Sequence, residues 1–186
     1  MLTASALPDP RPDPLRARAT VPTLIAVNFA LAAAYYFAGS WGLHFSASIQ
    51  GSTLIWMPAG IALAALLLFG PWVAPAIFIG QFCIAMSIDG WGAGGNAWSW
   101  VLTASGNVCE GLLSWYLLRH VMSFDRRIER LSDAVAIVFI AAPLAPFVGA
   151  VVAACALCAT GVQPWSMFWN VAAVWYVGDA ISILLL

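Results

Sequence analysis

Residues 132–158, SDAVAIVFIAAPLAPFVGAVVAACALC, decide the fold. The one charged side chain in this run, Asp133, stands at its start and is counted with the loop before it. A helix over these about 27 residues would extend roughly 40 Å at ~1.5 Å per residue, more than the ~30 Å hydrocarbon core of a bilayer. Working outward, comparable apolar runs cover approximately 21–45, 54–70, 72–88, 97–119 and 165–186. The expectation is an all-α, polytopic helical membrane protein with about six transmembrane helices. The second and third are short and joined at Gly70-Pro71, so they read as a helical hairpin. Strands are not expected, because no alternating ten-residue pattern appears and open sheet edges cannot sit in lipid.

Composition agrees. The chain is 63% hydrophobic and 8% charged, whereas a soluble domain carries about 25% charged residues. Residues 1–20 are rich in Pro, Asp and Arg and read as a disordered cytoplasmic tail, leaving 21–186 as the transmembrane domain. The first apolar run is long and contains Asn28 and two tyrosines, so it reads as a retained helix rather than a signal peptide cut near residues 46–48.

Arginine placement sets the expected orientation. Arg11, Arg16 and Arg18 precede the first run; Arg119, Arg126, Arg127 and Arg130 lie between the fourth and fifth, and there is no lysine. Six helices with both termini cytoplasmic put every arginine inside. Seven of the ten tryptophans, Trp41, Trp56, Trp91, Trp98, Trp100, Trp165 and Trp169, then fall near outer helix ends. They form either an interfacial aromatic belt or an aromatic-lined vestibule able to hold an organic cation or apolar ligand.

Only Glu110 and Asp179 lie well inside apolar segments. An ionisable group at membrane depth costs roughly 2.5 kcal/mol or more and is a functional hypothesis by default. Thr103, Asn107, Glu110 and Ser114 follow at spacings of four, three and four, which puts them on one helix face. Glu110 and Asp179 lie about thirteen and fourteen residues into helices of the same direction, hence at similar depth. Two roles stay open: a hydrogen-bonded clamp between these helices, or a ligand or proton site. Asn28, Gln81 and Asn170 are candidate additions to the network. Pro58, Pro75, Pro143 and Pro146 are expected to kink or loosen their helices.

Other motifs carry no chemistry. Cys83, Cys109, Cys155 and Cys158 are each expected to act as a buried small hydrophobe. His44 and His120 fall on opposite sides of the membrane, so no metal or haem site is expected. The run 90–95, GWGAGG, lacks the Lys-Ser/Thr of a phosphate loop. There is no nucleophile–base pair; catalytic residues and cofactors are not expected, and the chain is not expected to be an enzyme.

Three runs carry a family resemblance. Residues 56–70, WMPAGIALAALLLFG, resemble the second helix of the MASE1 domain, membrane-associated sensor 1; Pro58 and Gly60 lie in that motif. Gly106-Asn107-x-x-Glu110 followed by residues 116–119, YLLR, is similar to the family's Gly-Asn-x-Leu-Glu helix and its Leu-Arg exit. Trp175-x-x-Gly178-Asp179 is similar to its Trp-x-Gly-Asp helix, with Ser182 where the family usually has glycine. The turn Gly70-Pro71-Trp72 lacks the basic residues common there.

The resemblance implies a sensory input module of a bacterial signalling protein of histidine kinase or diguanylate cyclase type, multi-pass in the inner membrane. It also implies that the domain continues beyond residue 186 towards a cytoplasmic effector. Expected partners are the bilayer, that effector domain or a partner membrane protein, and a second copy in a homodimer; nucleic acid is not expected. Competing functions are a transporter-like module with Glu110 and Asp179 as a proton or cation relay, or a structural subunit of a larger complex.

Overall fold

Glycine and proline cut the apolar sequence into rods. The structure, a computed structural model, describes residues 20–45, 53, 55–89, 95–122, 124–125 and 130–185. The expected tail over 1–20 therefore lies almost wholly outside the described residues, as do five of the seven arginines and Trp91. Helix α1 is Val21–Phe45, α2 is Met57–Phe69 and α3 is Ala74–Ile88, entered through a 3-10 turn at Pro71–Val73. Helix α4, Ala97–Tyr116, runs on into a π turn at Leu117–Val121. A long rod follows, α5 (Leu131–Ala136) and α6 (Ala142–Ala159), joined by a second π turn at Ile137–Ala141. The last helix, α7, is Phe168–Leu184. Among the described residues the fold is all-helical.

The helices pack as two layers of three. One layer is α1, α2, α7; the other is α3, α4, α6. Each helix faces its counterpart, α1 on α3, α2 on α4 and α7 on α6, so α2 and α4 are the two central members. Helices α2 and α3 are thus joined by a tight turn, as expected, but lie in different layers. Gly70 makes that turn with φ +92°, a left-handed conformation that glycine adopts without strain, and its N–H bonds Leu66 O at 2.9 Å.

Small side chains let the layers close. Eight of the thirteen α2 residues are buried, among them Ala59, Gly60, Ala62 and Ala65. With no water to expel between helices in lipid, close van der Waals contact of small residues holds such bundles together. The outer surface is correspondingly apolar, with Phe29, Phe139 and Leu131 among the exposed side chains.

Four rods are long and apolar enough to cross a membrane: Val21–His44, Pro71–Ile88, Leu131–Ala159 and Trp165–Leu184. Helix α2, at thirteen residues, is shorter than the sequence suggested and reaches only about 20 Å. Helix α4 has the length but carries the polar face. The prolines divide in two. Pro58 and Pro75 occupy first-turn positions of α2 and α3, where no N–H is needed. Pro143 and Pro146 lie within the continuous Leu131–Ala159 rod, following the π turn at Ile137–Ala141 that loosens it. Cysteine burial differs from expectation: Cys158 is buried, but Cys109 and Cys155 are exposed on the apolar outside of the bundle, and all four thiols are free. In a bilayer that outside is itself an apolar environment, so a small hydrophobe need not face the core.

Candidate functional site

The interior of this bundle is polar at one level. Helix α4 turns Thr103, Asn107, Glu110 and Ser114 inward, all buried. Helix α7 contributes Asp179, fully buried, and Ser182. The Glu110 and Asp179 carboxyls lie within reach of each other. None of their four oxygens has a hydrogen-bond donor among the described residues, and the Ser114 and Ser182 hydroxyls are likewise unpartnered. Ionised carboxylates only accept, so two facing each other repel; one proton held between them makes one the donor.

Glycine makes room for this pair. Gly149 of α6 lies flat against Glu110, and a Cβ there would meet Glu110 Cβ and Cδ at 3.0 Å and overlap Oε2. Gly60 of α2 faces the Ser182 carbonyl, 2.6 Å from where its own Cβ would stand. Gly106 packs on Val152. A small cavity of about 10 Å³ remains beside the pair, lined in part by Tyr35, Asn107, Glu110 and Ser114. That is room for one water at most.

Tyr35 of α1, fully buried, links this layer to the next. Its hydroxyl donates to Asn107 Oδ1 at 3.1 Å and, more weakly, to Gln81 Oε1 at 3.5 Å. Asn107 in turn donates to Thr103 O at 3.0 Å, and Thr103 to Ser99 O at 2.8 Å. Gln81 and Thr103 belong to the wall of a second cavity of about 100 Å³, at the end of the bundle where α3 stops and α4 starts.

Three indoles, Trp56, Trp100 and Trp175, and the carboxylate of Asp89 line that cavity, with Gln81, Gln163, Thr53 and Thr103. Trp100 Nε1 donates to Asp89 Oδ2 at 2.5 Å. Asn96 fixes the mouth: its Oδ1 caps α4 by accepting from Trp98 N at 3.0 Å, and its Nδ2 donates to Thr160 O beyond α6 at 3.0 Å. Trp56 reaches back to the carboxyl layer through its backbone, whose N–H donates to Gly178 O at 3.1 Å. The approach depends on glycine, since a Cβ on Gly178 would overlap the Thr53 carbonyl.

The tryptophans expected at this level divide in two. Trp41, Trp98, Trp165 and Trp169 are 63–71% exposed and form the outer surface, while Trp56 and Trp100 face the cavity. Trp175, expected from its motif with Gly178 and Asp179 to belong to the ligand-binding or polar network, also lines the cavity. Gln81 joins the network through Tyr35. Asn28 and Asn170 do not: Asn28 donates to Leu24 O within its own helix, and Asn170 is exposed beside Met167 Sδ.

Sequence reasoning missed Tyr35, Gly149 and Asp133. Tyr35 stands seven residues after Asn28, a helical repeat that marks one face of α1. Asp133, assigned to a loop, is in the first turn of α5 and 2% exposed; its Oδ1 accepts from Asp125 N at 3.2 Å. It is a third buried carboxylate, at the arginine-rich end.

No curated protein and no solved structure matches the chain significantly. Residues 26–186 match the MASE1 family. That match runs from within α1 through the other five rods and includes the carboxyl layer and the cavity, and the chain belongs to the MASE1 family of membrane-associated sensory domains.

Proposed function

We propose that this chain is the sensory input domain of a bacterial signalling protein, and that the Glu110–Asp179 layer is its bistable core. The six rods then all lie in the inner membrane, with the arginine-rich α4–α5 connection and the N-terminus on the cytoplasmic face. The observation that carries the reading is a buried layer in which the Glu110 and Asp179 carboxyls have only each other within reach, and the Ser114 and Ser182 hydroxyls have no hydrogen-bond partner among the described residues. Each unmatched buried polar group costs about 1–3 kcal/mol. A small rotation or slide of α7 against α4 that pairs them differently would recover part of that energy. Two packings of similar energy are what a ligand needs in order to shift a population.

The small volume beside the pair favours a gate or clamp over a bound signal molecule at this level. Signal enters at the cavity lined by Trp56 and Trp100, and passes to the carboxyl layer through Tyr35, Asn107 and the Trp56–Gly178 bond. It leaves through the arginine-rich end, where the two π turns pack on each other and the second also meets α7. Such turns are local weak points in helices. The partner on the cytoplasmic side is a histidine kinase or diguanylate cyclase effector.

The test is to replace Glu110 with Gln and Asp179 with Asn together in the full-length signalling protein and to measure effector activity with and without stimulus. A shifted basal output or a blunted response is expected. Unchanged basal and stimulated output would refute the role assigned to the pair.

A further inference from the structure

The geometry points to the Trp56–Trp100–Trp175 cavity as a binding site for a small organic cation, of the substituted-ammonium class. This deepens the sensory reading and rests on it only for its biological purpose. Among the described residues, Asp89 is the one charged side chain on the cavity wall. In the sequence, residues 46–56, 89–96 and 160–164 contain no arginine or lysine. The nearest cationisable group in sequence, His44, is exposed at the end of α1 and bonded through Nδ1 to Ser40 O of its own helix. The carboxylate is held in place by the Trp100 indole, which fixes it with a neutral donor and leaves its charge uncompensated.

Three indole rings around one fixed carboxylate suit a cation that carries alkyl groups. The ring faces attract positive charge, and their apolar surface accepts the methyl or methylene groups around it. The volume of about 100 Å³ fits a molecule of a few heavy atoms, not a lipid tail or a peptide. At the far wall, Gln81, Thr53 and Thr103 offer hydrogen-bonding groups to the ligand's other end. The Trp56 indole N–H, buried and close to the Tyr35 hydroxyl without a hydrogen bond of good geometry, is a further donor. An apolar ligand would leave the carboxylate facing hydrocarbon; an anion would be repelled by it.

Substituted ammonium occurs both as free solutes and as lipid headgroups, so the test separates the two. The purified chain in a maltoside detergent is titrated with choline and with 3,3-dimethyl-1-butanol, its uncharged carbon analogue, by calorimetry and tryptophan fluorescence. Saturable choline binding is expected, with the neutral analogue about tenfold weaker or worse. Asp89→Asn should weaken choline by about tenfold, and Trp175→Leu should weaken it by a similar factor. The second variant touches no hydrogen bond of the cavity and keeps the test valid should Asp89→Asn disturb Trp100. Equal binding of both compounds, no choline binding, or unchanged affinity in both variants would overturn the assignment.

Repeating the choline titration in nanodiscs of phosphatidylglycerol and of phosphatidylcholine then identifies the source. Competition by phosphatidylcholine assigns the site to headgroups, and equal affinity in both assigns it to free cations; either result supports the site. Absent binding combined with altered output from the Glu110→Gln, Asp179→Asn pair would remove the ligand class and leave the sensor role standing. Binding combined with unaltered output would do the reverse.

Discussion

Gly149→Ala should separate α4 from α6, although alanine is the better helix former. The added Cβ would stand 3.0 Å from Glu110 Cβ and Cδ and overlap Oε2. The carboxyl end can swing, but Glu110 Cβ is fixed to its helix, and the cavity beside it offers only about 10 Å³. Relief therefore requires the helices to move apart by several tenths of an ångström. Overpacking of this kind costs about 1–3 kcal/mol, and contact with a fixed atom puts this case near the upper end. The helix gains about 1 kcal/mol from replacing an interior glycine. The net expectation is about 2 kcal/mol of lost stability. Glu110→Gly removes the fixed Cβ together with Cδ and both oxygens, so the double variant should recover at least about 1 kcal/mol relative to the sum of the two single effects. Unfolding by SDS titration of the four proteins in mixed micelles, followed by tryptophan fluorescence, measures that cycle. Strict additivity, or a Gly149→Ala protein as stable as the parent, would refute the packing described for Glu110.

Three further expectations are open to the same assay. Tyr35→Phe removes the donor to Asn107 and Gln81 and should cost about 0.6–1 kcal/mol, in the range of interhelical hydrogen bonds in membranes; a gain in stability would contradict its linking role. Glu110→Gln alone places an amide donor beside Asp179, so stability should hold or rise by about 1 kcal/mol, and a clear loss would show that the carboxyl pair is already satisfied. Trp98→Ala, on the outer surface, should change stability by less than about 0.5 kcal/mol. Trp100→Ala empties a buried ring site and should cost about 3 kcal/mol or more, and equal effects would erase the distinction between belt and cavity.

The rods were largely legible because apolar run length is a property of contiguous sequence. The run at 21–45 reappears as Val21–Phe45, and the break at Gly70-Pro71 falls where it was expected. The facing carboxyls were legible for the same reason, as helix direction and residue count set their depth. The two-layer order was not, because nothing local states which rods become neighbours. Gly149 looks like any glycine in an alanine-rich helix until α4 is laid against it. The cavity draws its wall from α3, α4, α6, α7 and the segment before α2, so no single window of sequence contains it. Asp133 was misplaced because a charge at a segment boundary can belong to either side, and the first turn of α5 buries it.

The Trp56–Gly178 contact joins one main chain to another. No side-chain replacement at position 56 deletes its donor except proline, which has no N–H, and at position 178 only the absence of a side chain is demanded. Under the proposed function, the cavity wall can therefore change its chemistry among relatives, and with it the compound detected, while the tether between the wall and α7 stays intact. Exchanging wall residues between members of the family should retune what is sensed without rebuilding how the message is relayed.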